Sequence, residues 1–391
     1  MSQKRSFFFL FLFFCLISTR LFAQYDWDGI DIPVDPVVGQ WELIDETSDD
    51  FNYEAPADNK GAIFNSKWKD GFINGWKGPG NTEWIPDNAR VTNGNLEIKA
   101  TRVPGTTDKV HFQAISTKTA IKYPVFVETR MKVMNSVMAN AVWMLSSDSA
   151  EEIDIVEAYG SSYSESASSS KEWFAKRMHL SHHTFDRSVT PALDYQPTDN
   201  GSWYTDGSYW RDGFRRVGVY WRDPFHLEYY IDGVLVRTVS GAAIIDPNEY
   251  LNGNGLSSEE KIIISGAAQG WQVNNGVWPT DWELADTDGH TFKVDWIRTY
   301  KDKGETASAS EFNLSRSLAY SNPVLDFITI KSNSNLKQLN VYNVNGFLVK
   351  TVKNIPSKSS KVYFEHLASG LYFIKLEGIN GRFDVMKIIK N

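Results

Sequence analysis

Glu152-Ile153-Asp154-Ile155-Val156-Glu157, running on into Ala158-Tyr159-Gly160, sets three carboxylates within six residues and fills the gaps with β-branched aliphatic residues. Such residues pack well on a pleated surface, so the stretch reads as a buried strand. A carboxylate on a buried strand is costly unless something uses it. Strand side chains alternate, which puts Glu152 and Asp154 on one face. Strict alternation sends Glu157 to the other face. One extra residue, a β-bulge, returns it, and bulges are over-represented beside active sites. The stretch therefore predicts three acids lining one cleft. The plainer alternative is a solvated strand with acids pointing at water; the intervening Ile, Ile and Val weigh against it.

Paired carboxylates on one wall suit cleavage of a glycosidic bond. One serves as nucleophile or base, and the other, with a raised pKa, protonates the leaving oxygen. Asp154 between them can share a proton, keeping one Glu ionised and the other protonated. The rival chemistry is a hard cation, which three carboxylates also suit. The aromatic surroundings favour sugar: the chain holds 14 Trp, although many of these rings serve the core.

Ala141-Val142-Trp143-Met144-Leu145 reads as the neighbouring strand across a turn at Ser146-Ser147-Asp148-Ser149. Trp143 either floors the cleft or belongs to the core. Asn74-Gly75-Trp76-Lys77-Gly78-Pro79-Gly80 holds one Trp on a glycine loop, a placement poorly explained as core that points to ligand contact more than to a plain exposed turn. In Arg177-Met178-His179-Leu180-Ser181-His182-His183, alternation puts Arg177, His179, Ser181 and His183 on one face. Clustered His suggests zinc, but no H-E-x-x-H or cysteine set accompanies it. Hydrogen bonding to sugar hydroxyls and to the acids is the better reading, with a polar outer face the alternative for His182 and His183.

From Trp41 to Tyr300 short β runs are separated by turn residues, among them Val125–Arg130, Val217–Trp221 and Leu227–Ile231 turning at Asp232-Gly233 into Val234–Arg237. Long helical periodicity is scarce. The fold class is therefore all-β, two packed antiparallel sheets forming a jelly-roll sandwich with an open cleft. The 391 residues allow two to three domains. Residues 1–23 read as a signal peptide: Lys4 and Arg5, then an apolar run Phe7–Ile17, then Leu21-Phe22-Ala23 before a cleavage site. Residues 24–303 form the catalytic domain, 304–316 a small polar linker, and 317–391 a small C-terminal β-sandwich module with no carboxylate cluster. The one cysteine, Cys15, lies in the signal, so a mature chain has no disulfide and no thiol chemistry. No other stretch is apolar enough to span a membrane. A net charge of −8 with mixed signs disfavours a nucleic-acid groove, which needs a basic patch.

The acids, Trp143, Asp50-Phe51-Asn52-Tyr53, the Asn74–Gly80 loop with Thr82-Glu83-Trp84, Arg177–His183, Arg215–Trp221 and Val294-Asp295-Trp296-Ile297-Arg298 together resemble a β-agarase of glycoside hydrolase family 16. The resemblance spans roughly Trp41 to Tyr300. It implies a concave sheet as the cleft and endo-hydrolysis of β-1,4 bonds in agarose with retention. Glu152 would be nucleophile, Asp154 its partner and Glu157 acid/base, with Trp76, Trp143, Arg177 and His179 binding substrate. It also implies a structural calcium away from the cleft, near Asp50, Gly94 and Asp295, and no cofactor for catalysis. In one place the chain departs from the agarase pattern: Ile264-Ser265-Gly266-Ala267-Ala268-Gln269-Gly270-Trp271 is small and neutral where agarases usually carry acids. This suggests tolerance of methylated or sulfated galactans and leaves two further readings open, a porphyranase and a non-catalytic galactan-binding sandwich. The C-terminal module, with Asn322-Pro323 and Gly370-Leu371-Tyr372, resembles a type IX secretion sorting domain. That resemblance implies engagement with the secretion machinery, then release or attachment at the cell surface.

Overall fold

The computed structural model describes residues 25–37, 39–303, 324–330, 336–344, 346–355, 360–378 and 383–391. The expected signal peptide, the expected 304–316 linker and Asn322-Pro323 lie outside the described residues. Two compact units divide after Lys303.

The first unit packs two eight-stranded sheets face to face. One carries the acids. Its four central strands are β1 (Ala139–Ser146), β2 (Glu151–Ala158), β3 (Met178–Asp186) and β4 (Glu260–Ala267), in the spatial order β3-β2-β1-β4. Leu193–Tyr195 and Trp203–Tyr204 flank β3, while Ala114–Thr117 and then Trp68–Lys69 follow β4. The second sheet runs from Val234–Ser240 through His226–Ile231, Arg215–Asp223, Val125–Lys132 and Phe292–Lys303 to Asn95–Ile98 and Ala89–Thr92, with Gln40–Leu43 on Phe292–Lys303. The Asp232-Gly233 turn has φ of 50° and 84°, the left-handed pair that a two-residue hairpin requires.

Alternation explains the core. Ile153, Ile155 and Val156 of β2 meet Val127, Val217, Val219, Val294 and Ile297 of the facing sheet, all fully buried. The segment after residue 24, which reads as an extended lead-in, is seated on that facing sheet. Trp27 is buried edge-on to Trp296, at 5.9 Å and 62°. Buried Arg298 bonds Glu128 (Nε to Oε2, 2.8 Å) and donates Nη1 to the Ile30 carbonyl at 2.6 Å. A buried ion pair is tolerable when the remaining donors are occupied in this way.

The second unit has its own small core, including Val324, Leu339, Val341 and Ile374. Leu348–Ile355, Leu336–Asn343, Gly370–Gly378 and Phe383–Lys390 form a four-stranded sheet, and Phe327–Ile330 pairs with Ser360–Tyr363.

Candidate active site

The site begins as a register shift. Val142 of β1 faces Val156 of β2, but the next residue, Trp143, faces Asp154, so Ile155 has no counterpart. On the other side Asp154 faces Ser181 and Glu157 faces His179, three steps on β2 against two on β3. Ile155 and Val156 therefore both turn into the core and are fully buried. Glu157 returns to the face of Glu152 and Asp154, and all three acids line one cleft of about 620 Å³.

The cleft floor and rims are aromatic. Trp143 is 9% exposed and lies on the floor, its indole Nε1 donating to Ser265 Oγ at 3.0 Å. Trp76 is 49% exposed and stands edge-on to Phe72 and Trp84, 5.4 Å from each. Its loop is pressed against the other rim: Gly80 has φ +56°, and a Cβ there would lie 2.4 Å from the Gly270 backbone nitrogen. Only glycine meets both conditions. Trp203 and half-exposed Trp271 also line the cleft.

His183 gathers charge around the acids. Its Nδ1 is 2.8 Å from Asp194 Oδ1, and its Nε2 lies 3.5 Å from Asp154 and 4.0 Å from Glu152. Gln196 stands 2.7 Å from the same Nε2. Burial opposes protonation of this ring, but the bonds to Asp154 and Asp194 outweigh it and hold the pKa well above the ordinary histidine value. For Asp154 burial pulls upward, and the His183 bond and charge overcome it, so the carboxyl sits below its usual range. Burial, reinforced by the Asp154 charge, pushes Glu152 up to about 8. Glu152 and Asp154 thus share one negative charge beside one imidazolium, and their titration belongs to the cluster. Burial likewise pushes Glu157 up to about 7, against hydrogen bonds from the Tyr159 phenol and from Gln269 Nε2 at 3.2 Å. His179 stacks on Trp203 (4.3 Å, 23°), and burial lowers it to about 4, leaving a neutral ring.

Of the residues singled out from the sequence, Trp76, Trp143, Glu152, Asp154, Glu157 and His179 line the cleft together. Arg177 does not. The strand begins at Met178, and the Arg177 amide still bonds the Phe174 carbonyl of the preceding short helix, so alternation does not extend to it. Its guanidinium lies over Trp173 instead, 4.5 Å from the ring centre. His182 faces the core, with Nε2 on the Ile245 carbonyl at 2.9 Å. Sequence reasoning missed Asp194, Gln196 and Trp203, which sit on short strands and loops without periodicity, and gave no role to Tyr159. Glu152, Asp154 and His183 offer ligand atoms within 4.8 Å of one another, a set able to hold a cation. The imidazolium already supplies positive charge at that place.

The residues expected near a structural calcium also converge. A bulge in Phe292–Lys303 leaves Asp295 without a counterpart. Its carboxyl is raised by burial and by the charges of Asp26 and Asp50, while Arg130 at 2.5 Å lowers it. Asn52 donates its side-chain Nδ2 to Asp26 Oδ1 (3.1 Å) and its backbone N–H to Asp50 Oδ1 (3.3 Å), and a Cβ on Gly94 would lie 3.2 Å from Asn52 Oδ1. Asp26, Asp50 and Asp295 thus gather carboxylate oxygens, the ligand type of a hard cation, in one neighbourhood, with Arg130 paired to Asp295.

Residues 41–302 match the family described as β-porphyranase A-D, GH16 domain, and residues 318–391 match the secretion system C-terminal sorting domain. The chain is 52% identical over 290 residues to β-agarase AgaA of Microbulbifer thermotolerans, covering 73% of this chain and 65% of that protein. It is 50% identical over 300 residues to β-agarase B of Zobellia galactanivorans, covering 72% of this chain and 84% of that one. A crystal structure of an inactivated β-agarase B in complex with agaro-octaose superposes with a TM-score of 0.67 at 50% identity, covering 71% of this chain and 99% of the other. No helix among the described residues is long and apolar enough to cross a membrane. A C-terminal sorting domain marks the chain for type IX secretion, and by its jelly-roll fold and 262-residue match the chain belongs to glycoside hydrolase family 16.

Proposed function

We propose that this protein is a secreted endo-β-agarase that hydrolyses β-1,4 bonds of agarose with retention of configuration. The observation that carries the reading is the bulge at Ile155-Val156, through which Glu152, Asp154 and Glu157 share one wall of an aromatic-lined cleft. The β-agarase relatives at 52% and 50% identity support the substrate.

In the first step the Glu152 carboxylate attacks the anomeric carbon. The carbon–oxygen bond to the leaving sugar breaks as Glu157 delivers its proton to that oxygen. Asp154, hydrogen-bonded by His183, takes part of the cluster's charge and lets Glu152 ionise. In the second step Glu157, now a carboxylate, takes a proton from the water that cleaves the glycosyl ester. Trp143 and Trp76 offer flat apolar faces to the sugar rings, and neutral His179 offers a ring nitrogen to hydroxyls.

Calcium would be held by Asp50, Asp295 and the Gly94 backbone. It supplies no chemistry to the reaction and would fasten the Asp50–Asn52 segment and the Gly94 turn to the last strand of the facing sheet. After export the sorting module would be removed, leaving the enzyme released or attached at the surface.

The test is incubation of the full chain with agarose and with porphyran separately, followed by sizing of the oligosaccharides. Neutral oligomers from agarose are the expected result. Products from porphyran alone, carrying sulfate, would replace agarase by porphyranase, the reading that the neutral Ala267 stretch favours. Glu152→Gln should lower kcat by about a thousandfold or more while agarose binding persists. Wild-type turnover in that variant would refute the assignment of Glu152 as nucleophile.

A further inference from the structure

Outside the cleft, the short helix Glu172–Ala175 holds an indole that the core does not use: Trp173 is 46% exposed. It is rigidly seated. Arg177 covers one face with its guanidinium 4.5 Å from the ring centre and donates Nη1 to the Trp173 carbonyl at 3.1 Å. Phe174 meets it edge-on at 4.9 Å and 81°. The helix itself is fastened by a Glu172–Lys176 ion pair at 2.7 Å and by the Tyr209 hydroxyl on Glu172 at 2.6 Å.

This ring continues the cleft. Trp173 lies 5.0 Å from Trp203, tilted by 54°, and Trp203 lines the cleft stacked on His179. The rings His179, Trp203 and Trp173 therefore form an unbroken aromatic track leading from beside Glu157 to the outer surface. A half-exposed indole immobilised by a cation and a second ring offers stacking area with little ordering cost, the property of a sugar platform.

Building on the galactan-hydrolase reading above, we propose that Trp173 forms an additional sugar subsite beyond the rim of the cleft, and that Arg177 is its positioning residue. The subsite takes a galactan chain already threaded through the cleft, so its contribution depends on chain length. Short oligomers that end inside the cleft never reach it.

The experiment compares Trp173→Ala, Arg177→Met and wild type in the full chain on agarose oligosaccharides of increasing length and on polymeric agarose. Trp173→Ala should raise KM by about three- to tenfold on polymer and on long oligomers, with kcat unchanged and short oligomers unaffected. Arg177→Met should move the same quantities in the same direction by less, and the double variant should be no worse than Trp173→Ala. Losses that are equal at all lengths, or KM unchanged at all lengths, overturn the proposal. The same substitutions in a Glu152→Gln background, read by retardation in agarose gels, give a binding measurement independent of turnover. A wild type inactive on agarose would count against the agarase reading. Gel retardation unchanged by Trp173→Ala would count against the subsite.

Discussion

Glu157 feels burial in one direction and two hydrogen bonds in the other. The productive form of the site has Glu152 ionised and Glu157 protonated. With Glu152 pushed up to about 8 and Glu157 up to about 7, that form is a minority whose population peaks between the two values. The profile of kcat/KM against pH should therefore be bell-shaped, with its optimum between about 7 and about 8. Tyr159→Phe removes a hydrogen bond that favours the ionised form of Glu157, so the Glu157 pKa rises. The optimum should move upward by about 0.4 of a pH unit, since one hydrogen bond is worth about 1 kcal/mol and the optimum lies midway between the groups. An unmoved optimum would sever Tyr159 from the acid/base. Ala267 lines the cleft opposite Ala139. An acid there narrows the cleft and repels sulfate, so Ala267→Asp should cut the ratio of substituted to neutral galactan hydrolysis severalfold, measured by product analysis on mixed substrate. Unchanged selectivity would leave the small neutral stretch without a role in substrate choice.

The bulged strand is the element on which catalysis rests. Inserting one alanine after Val156 would hand the place of Glu157 to the alanine, turn Glu157 into the core and force a carboxyl among buried aliphatic residues. Activity should fall by at least about a thousandfold, and urea denaturation should register a loss of several kcal/mol. Preserved activity would show that the extra residue does not set the face of Glu157. The need for this bulge was legible in the sequence, because three acids spaced 152, 154 and 157 cannot share a face without it. The sandwich was legible too, from short alternating runs and the Asp232-Gly233 turn. Arg177 was misplaced because alternation was carried one residue past the strand's start, into backbone that still bonds Phe174. Asp194, Gln196 and Trp203 left no trace because they reach the cleft from two- and three-residue strands and loops, where no period exists to read. His183 was read as a partner of the acids or a polar outer residue; its charge was not legible, since it depends on Asp154 and Asp194 meeting it from two other strands.

At the scale of the molecule, the first unit carries its own core between two sheets, and the second carries a separate one. Without a cysteine after residue 15, the first unit depends on packing, on the Arg298–Glu128 pair and on the proposed calcium. Chelation should lower the melting temperature by roughly 5 °C or more, since a ligand at about 100 times its Kd contributes about 2.7 kcal/mol. Adding calcium back should restore it, and Asp295→Asn should abolish the difference. A melting temperature indifferent to chelator would remove calcium from the description. One feature of the facing sheet bears on maturation: Gln40–Leu43 pairs with Tyr300–Lys303, so the incoming and outgoing ends of the unit are stitched to each other as neighbouring strands. A protease trimming the precursor at either side would cut chain already outside this seam. The finished enzyme would keep this seam closed, its sheet unchanged by the trimming.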